Sequence, residues 1–224
     1  MSTQVPTVLE KVGLPAGELR RRRDALPAPV QTFYRRVLGA FAQAGSPPAP
    51  NELTVWASEL DLDLPAALRA LADAELVFLD PAGLITTGGV PFAPGPTAHH
   101  VRIAGGPAVF ANCAIDALGI GAMLDRDIEV HSTDPHTGQT VTAASRGGQW
   151  AWQPAGAVVF VGSSGAGRVT DTSCPVINFF ADAGHAEAYQ QQHGLNGLVL
   201  ALPDAAEAGE LIFRDLLRET PSST

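Results

Sequence analysis

The chain has 224 residues, 46% of them hydrophobic and 17% charged, with 23 acidic side chains against 14 Lys and Arg and a formal net charge of −9. That size supports one large or two small domains with a real core. A composition rich in Gly and Pro suits a loop-rich α+β protein rather than a helical bundle or a disordered chain. No run approaches the roughly 18 apolar residues of a membrane span, the N-terminus lacks a secretory layout, and the acidic balance argues against nucleic acid, whose affinity comes largely from Lys and Arg on phosphates. A cytoplasmic protein with neither a nucleic-acid nor a membrane partner is expected.

Residues 1–27 carry little periodicity and read as an arm, with a short helix around Ala16–Ala25. Its basic tetrad, Arg20 to Arg23, reads as a solvated helix face or part of a disordered arm. From Val30 the spacing of Phe33, Tyr34, Val37, Leu38 and Phe41 predicts an amphipathic helix that stops at Gly45. A second helix is expected from Asn51 or Glu52 to Leu60 with Asn51 as its cap, and a third from about Pro65 to Glu75. Leu76–Leu79 and Leu84–Thr86, joined by Asp80-Pro81-Ala82-Gly83, predict a β-hairpin. Three helices followed by a hairpin outline a winged helix over residues 28–96, here read as structural because a basic recognition face is missing. Gly88–Pro96 is the expected linker.

The second unit, residues 97–224, predicts strands at Val101–Ile103, Ala108–Ala111, Ile128–Ser132, Thr140–Ala144, Val158–Val161, Val176–Phe180 and Gly197–Ala201. Helices are expected from Cys113 to Leu124 with Asn112 as cap, over Ala186–His193 up to Gly194, and over Ala205–Arg218. A mixed or antiparallel sheet flanked by helices follows.

Only two cysteines occur, Cys113 and Cys174. In a reducing compartment such a pair is a set of buried small hydrophobes, a metal site or a catalytic pair. With a helix starting at Cys113, Asp116 lies three residues on and shares its face. The helix N-terminus favours negative charge, so the Cys113 thiol is expected to ionise more readily than a free one. Cys174 is expected at a strand edge, its direction stiffened by Pro175.

The run Val109-Phe110-Ala111-Asn112-Cys113-Ala114-Ile115-Asp116-Ala117-Leu118 resembles the first cysteine motif of the organomercurial (alkylmercury) lyases. Cys174-Pro175-Val176-Ile177-Asn178-Phe179-Phe180-Ala181 resembles that family's second, and the likeness extends over about residues 100–217. It implies an enzyme that cleaves a carbon–mercury bond: Cys113 and Cys174 take the metal as thiolates, and Asp116 protonates the carbon or relays the proton. The products are a hydrocarbon and Hg(II) held by the two sulfurs, beside Asp116. No cofactor is implied, since mercury is substrate and product, and external low-molecular-weight thiols or a mercuric reductase accept the ion. The chain departs from the family at Asn112, where an aromatic residue is common, and at Asp134 and Pro175, where many members carry further cysteines. Two other readings of the same thiols are a non-catalytic soft-metal binder and a metal-responsive winged-helix regulator.

Other motifs read as structure. Asp134-Pro135-His136-Thr137-Gly138, near His131, is turn chemistry rather than a metal site. Gly162 to Gly167 lacks a phosphate-loop ending and reads as a flexible turn covering the pocket, Ser163 and Ser164 lack a nucleophile-elbow context, and Trp150 and Trp152 read as core or pocket wall.

Overall fold

The computed structural model describes residues 5–11, 15–87, 91–165 and 169–217. Part of the expected linker and part of the expected glycine-rich turn therefore lie outside the described residues. Helices α1 (Val5–Lys11) and α2 (Glu18–Asp24) precede α3 (Ala28–Ala44), whose buried stripe is the expected one: Val30, Phe33, Tyr34, Val37, Leu38 and Phe41. Gly45 ends it in the left-handed conformation (φ 71°) and returns its N–H to the Phe41 carbonyl. α4 (Pro50–Glu59) is capped not by Asn51 but by Ala49, whose N–H the Glu52 carboxylate accepts at 2.8 Å. α5 (Leu64–Asp73) is capped by the Asp63 carboxylate on the Ala66 N–H and stops before Glu75, which sits at φ 54° and cannot continue a right-handed helix. The hairpin β1 (Phe78–Leu79) and β2 (Ile85–Thr87) follows, its turn tied by Asp80.

The rest of the chain runs β3 (His99–Ile103), β4 (Ala108–Ala111), α6 (Ala114–Leu124), β5 (Ile128–Thr133), β6 (Thr140–Arg146), β7 (Gln149–Gln153), β8 (Val158–Ser163), α7 (Val169–Thr172), β9 (Asn178–Phe180), α8 (Ala183–His193), β10 (Asn196–Ala201) and α9 (Leu202–Phe213). The sheets are antiparallel throughout the described ladders: five strands ordered β4-β3-β5-β6-β7 and three ordered β10-β8-β9. Strand β7, with Trp150 and Trp152, was not expected; two tryptophans alternating with polar and small residues on an edge strand carry a weak apolar signal. Both rings pack against the core.

One face of the five-stranded sheet, with Val101, Ile103, Val109, Ala111, Ile128, Val130, Val141 and Ala143, is buried, while Arg102 and Arg146 lie on the exposed face and flank Glu129. α6 lies against the buried face and is apolar nearly all round because α9 covers its other side. The two helices touch backbone to backbone: a Cβ on Gly209 would fall 2.8 Å from the Gly119 nitrogen. The resulting core is continuous from Val5 to Leu216 and includes the stacked rings of Phe41 and Phe92, 5.6 Å apart.

The basic tetrad is solvated at Arg20 and Arg21, as expected, but not at Arg23. Arg23 is 2% exposed and donates to the carbonyls of Asp215 (2.9 Å) and Leu216 (2.7 Å), while Asp24 balances its charge. Those carbonyls follow the end of α9, where helix geometry leaves acceptors without intrahelical donors, so a buried guanidinium supplies them. Arg22 pairs with Glu75 and Glu18, and Arg20 with Asp215. No helix among the described residues is long and apolar enough to cross a membrane.

Candidate active site

The first cysteine is placed by helix capping. Cys113, rather than Asn112, is the N-cap of α6, in extended backbone conformation (φ −150°, ψ 175°). Its Sγ accepts the Asp116 N–H at 3.4 Å, an N-cap with Cys in place of Ser or Thr. This fixes thiol and carboxyl in one geometry using a backbone group that any helix start must satisfy.

The second cysteine arrives on a turn. Val176 and Ile177 send their N–H groups back to the Ser173 carbonyl, so β9 starts only at Asn178 and Cys174 lies in the turn, not at a strand edge. The Ile177 carbonyl accepts the Ala114 N–H at 3.0 Å, which seats this turn on the first residue of α6. The Cys174 Sγ then stands 3.8 Å from Asp116 Oδ2, and one ligand atom from each of the three residues, both sulfurs included, lies within 4.8 Å of the others. All three are buried, at 2%, 4% and 4% exposure for Cys113, Asp116 and Cys174. Both cysteines are free thiols.

Burial reverses the expected ionisation of Cys113. Desolvation pushes that thiol well above its ordinary value, reinforced by the neighbouring Cys174 thiol and the nearby carboxyl, and the one backbone N–H that favours a thiolate is outweighed. For Cys174 the neighbouring Cys113 thiol pulls downward most, yet burial and Asp116 together leave it raised. Asp116 is lifted by desolvation from 3.8 to about 7, against the lowering pull of both thiols. The resting site is therefore a nearly neutral nest of three protonatable groups, two of them soft sulfur donors. Such a donor set selects a soft cation over a hard one and holds protons that a ligand displaces on binding.

The other motifs stay outside this cluster. Asp134 heads the β5–β6 hairpin as expected, its Oδ1 accepting the N–H groups of His136 (2.8 Å) and Thr137 (3.2 Å). Its second oxygen does what the sequence did not suggest: it accepts the Ala181 N–H at 3.0 Å and meets His185 Nδ1 at 2.8 Å, joining the hairpin to the corner between β9 and α8. His131 pairs with Glu129, His193 closes α8 before Gly194, and Ser164 bonds the Thr172 carbonyl. His99 and Asn178, both buried beside the Cys174 turn, went unread. The alternation of His99 with Val101 and Ile103 was the available signal, since it puts the imidazole on the core face.

The family model for alkylmercury lyase (MerB) matches residues 92–214. Alkylmercury lyases of Bacillus cereus and Clostridium butyricum are each 29% identical over 119 residues, 52% of this chain and 54% of each relative. The chain thus matches the curated relatives over about half their length. A solved structure described as the mercury-bound form of MerB2 superposes with a TM-score of 0.74 at 20% identity, covering 94% of this chain and 99% of that one. The last likeness shows a shared fold.

Proposed function

Because its family model matches more than half of the chain, this protein belongs to the alkylmercury lyase family, and on that premise we propose that it cleaves carbon–mercury bonds with Cys113, Cys174 and Asp116. The observation that carries the proposal is the buried meeting of two sulfurs and a carboxyl within 4.8 Å.

Mechanistically, one thiol gives up its proton and its sulfur bonds the mercury of R–Hg⁺, displacing the small thiol that carried it. The second sulfur then binds as its proton passes to Asp116 in its carboxylate form, which a pKa of about 7 leaves available at neutral pH and which is the nearest acceptor to Cys174. Two thiolates push electron density onto the metal and weaken its bond to carbon. Asp116, whose proton is held to about pH 7 by burial, delivers it to the carbon. The C–Hg pair of electrons becomes the new C–H bond, R–H leaves, and Hg(II) remains on two sulfurs beside the carboxylate. Low-molecular-weight thiols or a mercuric reductase then take the ion, and the chemistry drawn here uses no resident cofactor.

The reading extends to the rest of the chain. Residues 97–224 form the catalytic unit, a boundary supported by the family match from residue 92. Residues 28–96 are read as a winged-helix-like unit with a structural role, supported by the order α3, α4, α5, β1, β2. Residues 1–27 are the arm, and a reducing cytoplasm is the setting in which both thiols stay free.

The test is to incubate the protein with phenylmercuric acetate and excess thiol and to measure benzene. Turnover is expected, abolished by Cys113→Ser or Cys174→Ser and strongly reduced by Asp116→Ala. Tight retention of mercury without benzene would instead make the protein a soft-metal binder.

A further inference from the structure

Behind the Cys174 turn runs a buried polar chain that the lyase chemistry does not use. On β5, Ser132 lies 2.9 Å by its hydroxyl from His99 Nδ1 on β3. The His99 ring packs against Phe179 of β9, centroids 5.8 Å apart, near enough to the Asn178 side chain for that amide to raise its pKa, and Asn178 Nδ2 donates to the Pro175 carbonyl at 3.1 Å. The three side chains are 4%, 3% and 8% exposed. Desolvation lowers the His99 pKa to about 4, so the ring is neutral at physiological pH and can accept from Ser132.

The endpoints of the chain are what matter. Ser132 and His99 belong to the five-stranded sheet, Asn178 to the three-stranded one, and Pro175 directly follows Cys174. His99 is moreover paired with Ala111, two residues before Cys113. The imidazole thus stands on the same piece of sheet that delivers one sulfur and beside the amide that holds the turn delivering the other. An apolar core of the same shape would fold at least as easily, because buried polar groups contribute to stability only when every partner is in place.

We propose that Ser132, His99 and Asn178 are positioning residues that hold the Cys174 turn at a fixed offset from Cys113, so that both sulfurs can close on one soft atom. Its functional meaning rests on the lyase reading, but the geometry can be tested without it. Phenylarsine oxide reports paired sulfurs directly, since its As=O group reacts with two adjacent thiols to form two As–S bonds and one water.

The variants are Asn178→Leu and the double variant His99→Phe with Asn178→Leu. The second exchanges the unpaired imidazole left by the first for the smaller Ser132 hydroxyl, which can turn toward another acceptor and so keeps the variant foldable. Loss of groups that orient ligands lowers affinity or activity by roughly 10- to 100-fold. The expected result, at a melting temperature close to the parent's, is arsenical bridging slowed by that factor. The kcat for phenylmercuric acetate falls similarly while KM is unchanged, because capture by the first sulfur does not need the turn. Bridging at the parent's rate in a folded variant overturns the proposal. A parent chain that bridges the arsenical but releases no benzene sinks the lyase reading alone, and the contrast between parent and variants still decides the positioning role.

Discussion

Replacing Asp116 with Asn exchanges an ionisable carboxyl for a neutral group of the same shape, and the structure sets the size of the effect. Burial raises this carboxyl from 3.8 to about 7. A folded-state value above the unfolded one means that between those pH values the native protein holds a proton the unfolded chain has released. Stability is therefore fully present below about pH 4 and falls as pH rises through about 7. At about 1.36 kcal/mol per pH unit, the span from 3.8 to about 7 amounts to roughly 4 kcal/mol. Asn carries no such penalty, so Asp116→Asn is expected to gain about 4 kcal/mol over the parent between about pH 4 and pH 8 while losing turnover. Urea denaturation followed by tryptophan fluorescence across that range measures the difference. A gap that stays flat with pH would refute the argument, because the carboxyl would then not be kept protonated by its surroundings and could not serve as the acid.

Three further changes probe the scaffold. Gly209→Ala puts a methyl 2.8 to 3.0 Å from backbone atoms of Gly119 and Ile115, and a loss of roughly 1–3 kcal/mol is expected; an unchanged melting temperature would mean that α6 and α9 are not in backbone contact. Asp134→Ala orphans the N–H groups of Ala181, His136 and Thr137 as well as His185, for a loss of at least about 3 kcal/mol by denaturant titration. Burial pushes the Asp134 carboxyl up, but those hydrogen bonds outweigh it and hold the group below its ordinary 3.8. Its contribution is present above that pH and disappears on acidification, so the acid limb of the parent's stability curve should flatten in the variant. Tyr34→Phe removes a buried hydroxyl that has no hydrogen-bond partner among the described residues, and a gain of about 1 kcal/mol is expected at neutral pH; a loss would reveal a partner for that oxygen.

Helical periodicity and glycine stops were legible in the sequence, whereas the capping residues of α4 and α6 and the non-local contacts were not. Gly45 marked the end of α3 because a left-handed cap is written in one residue. The buried stripe from Val30 to Phe41 was legible for the same reason, its period being that of a helix. Cys113, Asp116 and Cys174 could be grouped only through resemblance, since nothing along the chain says that a turn 61 residues away returns to the start of α6. The Cys113 cap was in plain view three residues before Asp116, yet Asn112 is the commoner cap and took its place. The sign of the Cys113 shift failed more deeply. A helix terminus is visible in sequence, whereas the desolvation that overrides it depends on everything packed around the sulfur. Arg23 was misjudged likewise, because the carbonyls it serves lie 192 and 193 residues further on.

The burial of both sulfurs has a consequence for the idle protein. Alkylating agents and peroxides attack thiolates that they can reach, and this pair offers neither charge nor access. Iodoacetamide should label the native chain slowly and the denatured chain at once. Reactivity is thus switched on by the arriving metal, which strips the protons itself, and a catalyst made of two bare thiols can wait unspent among the oxidants that would ruin an open site.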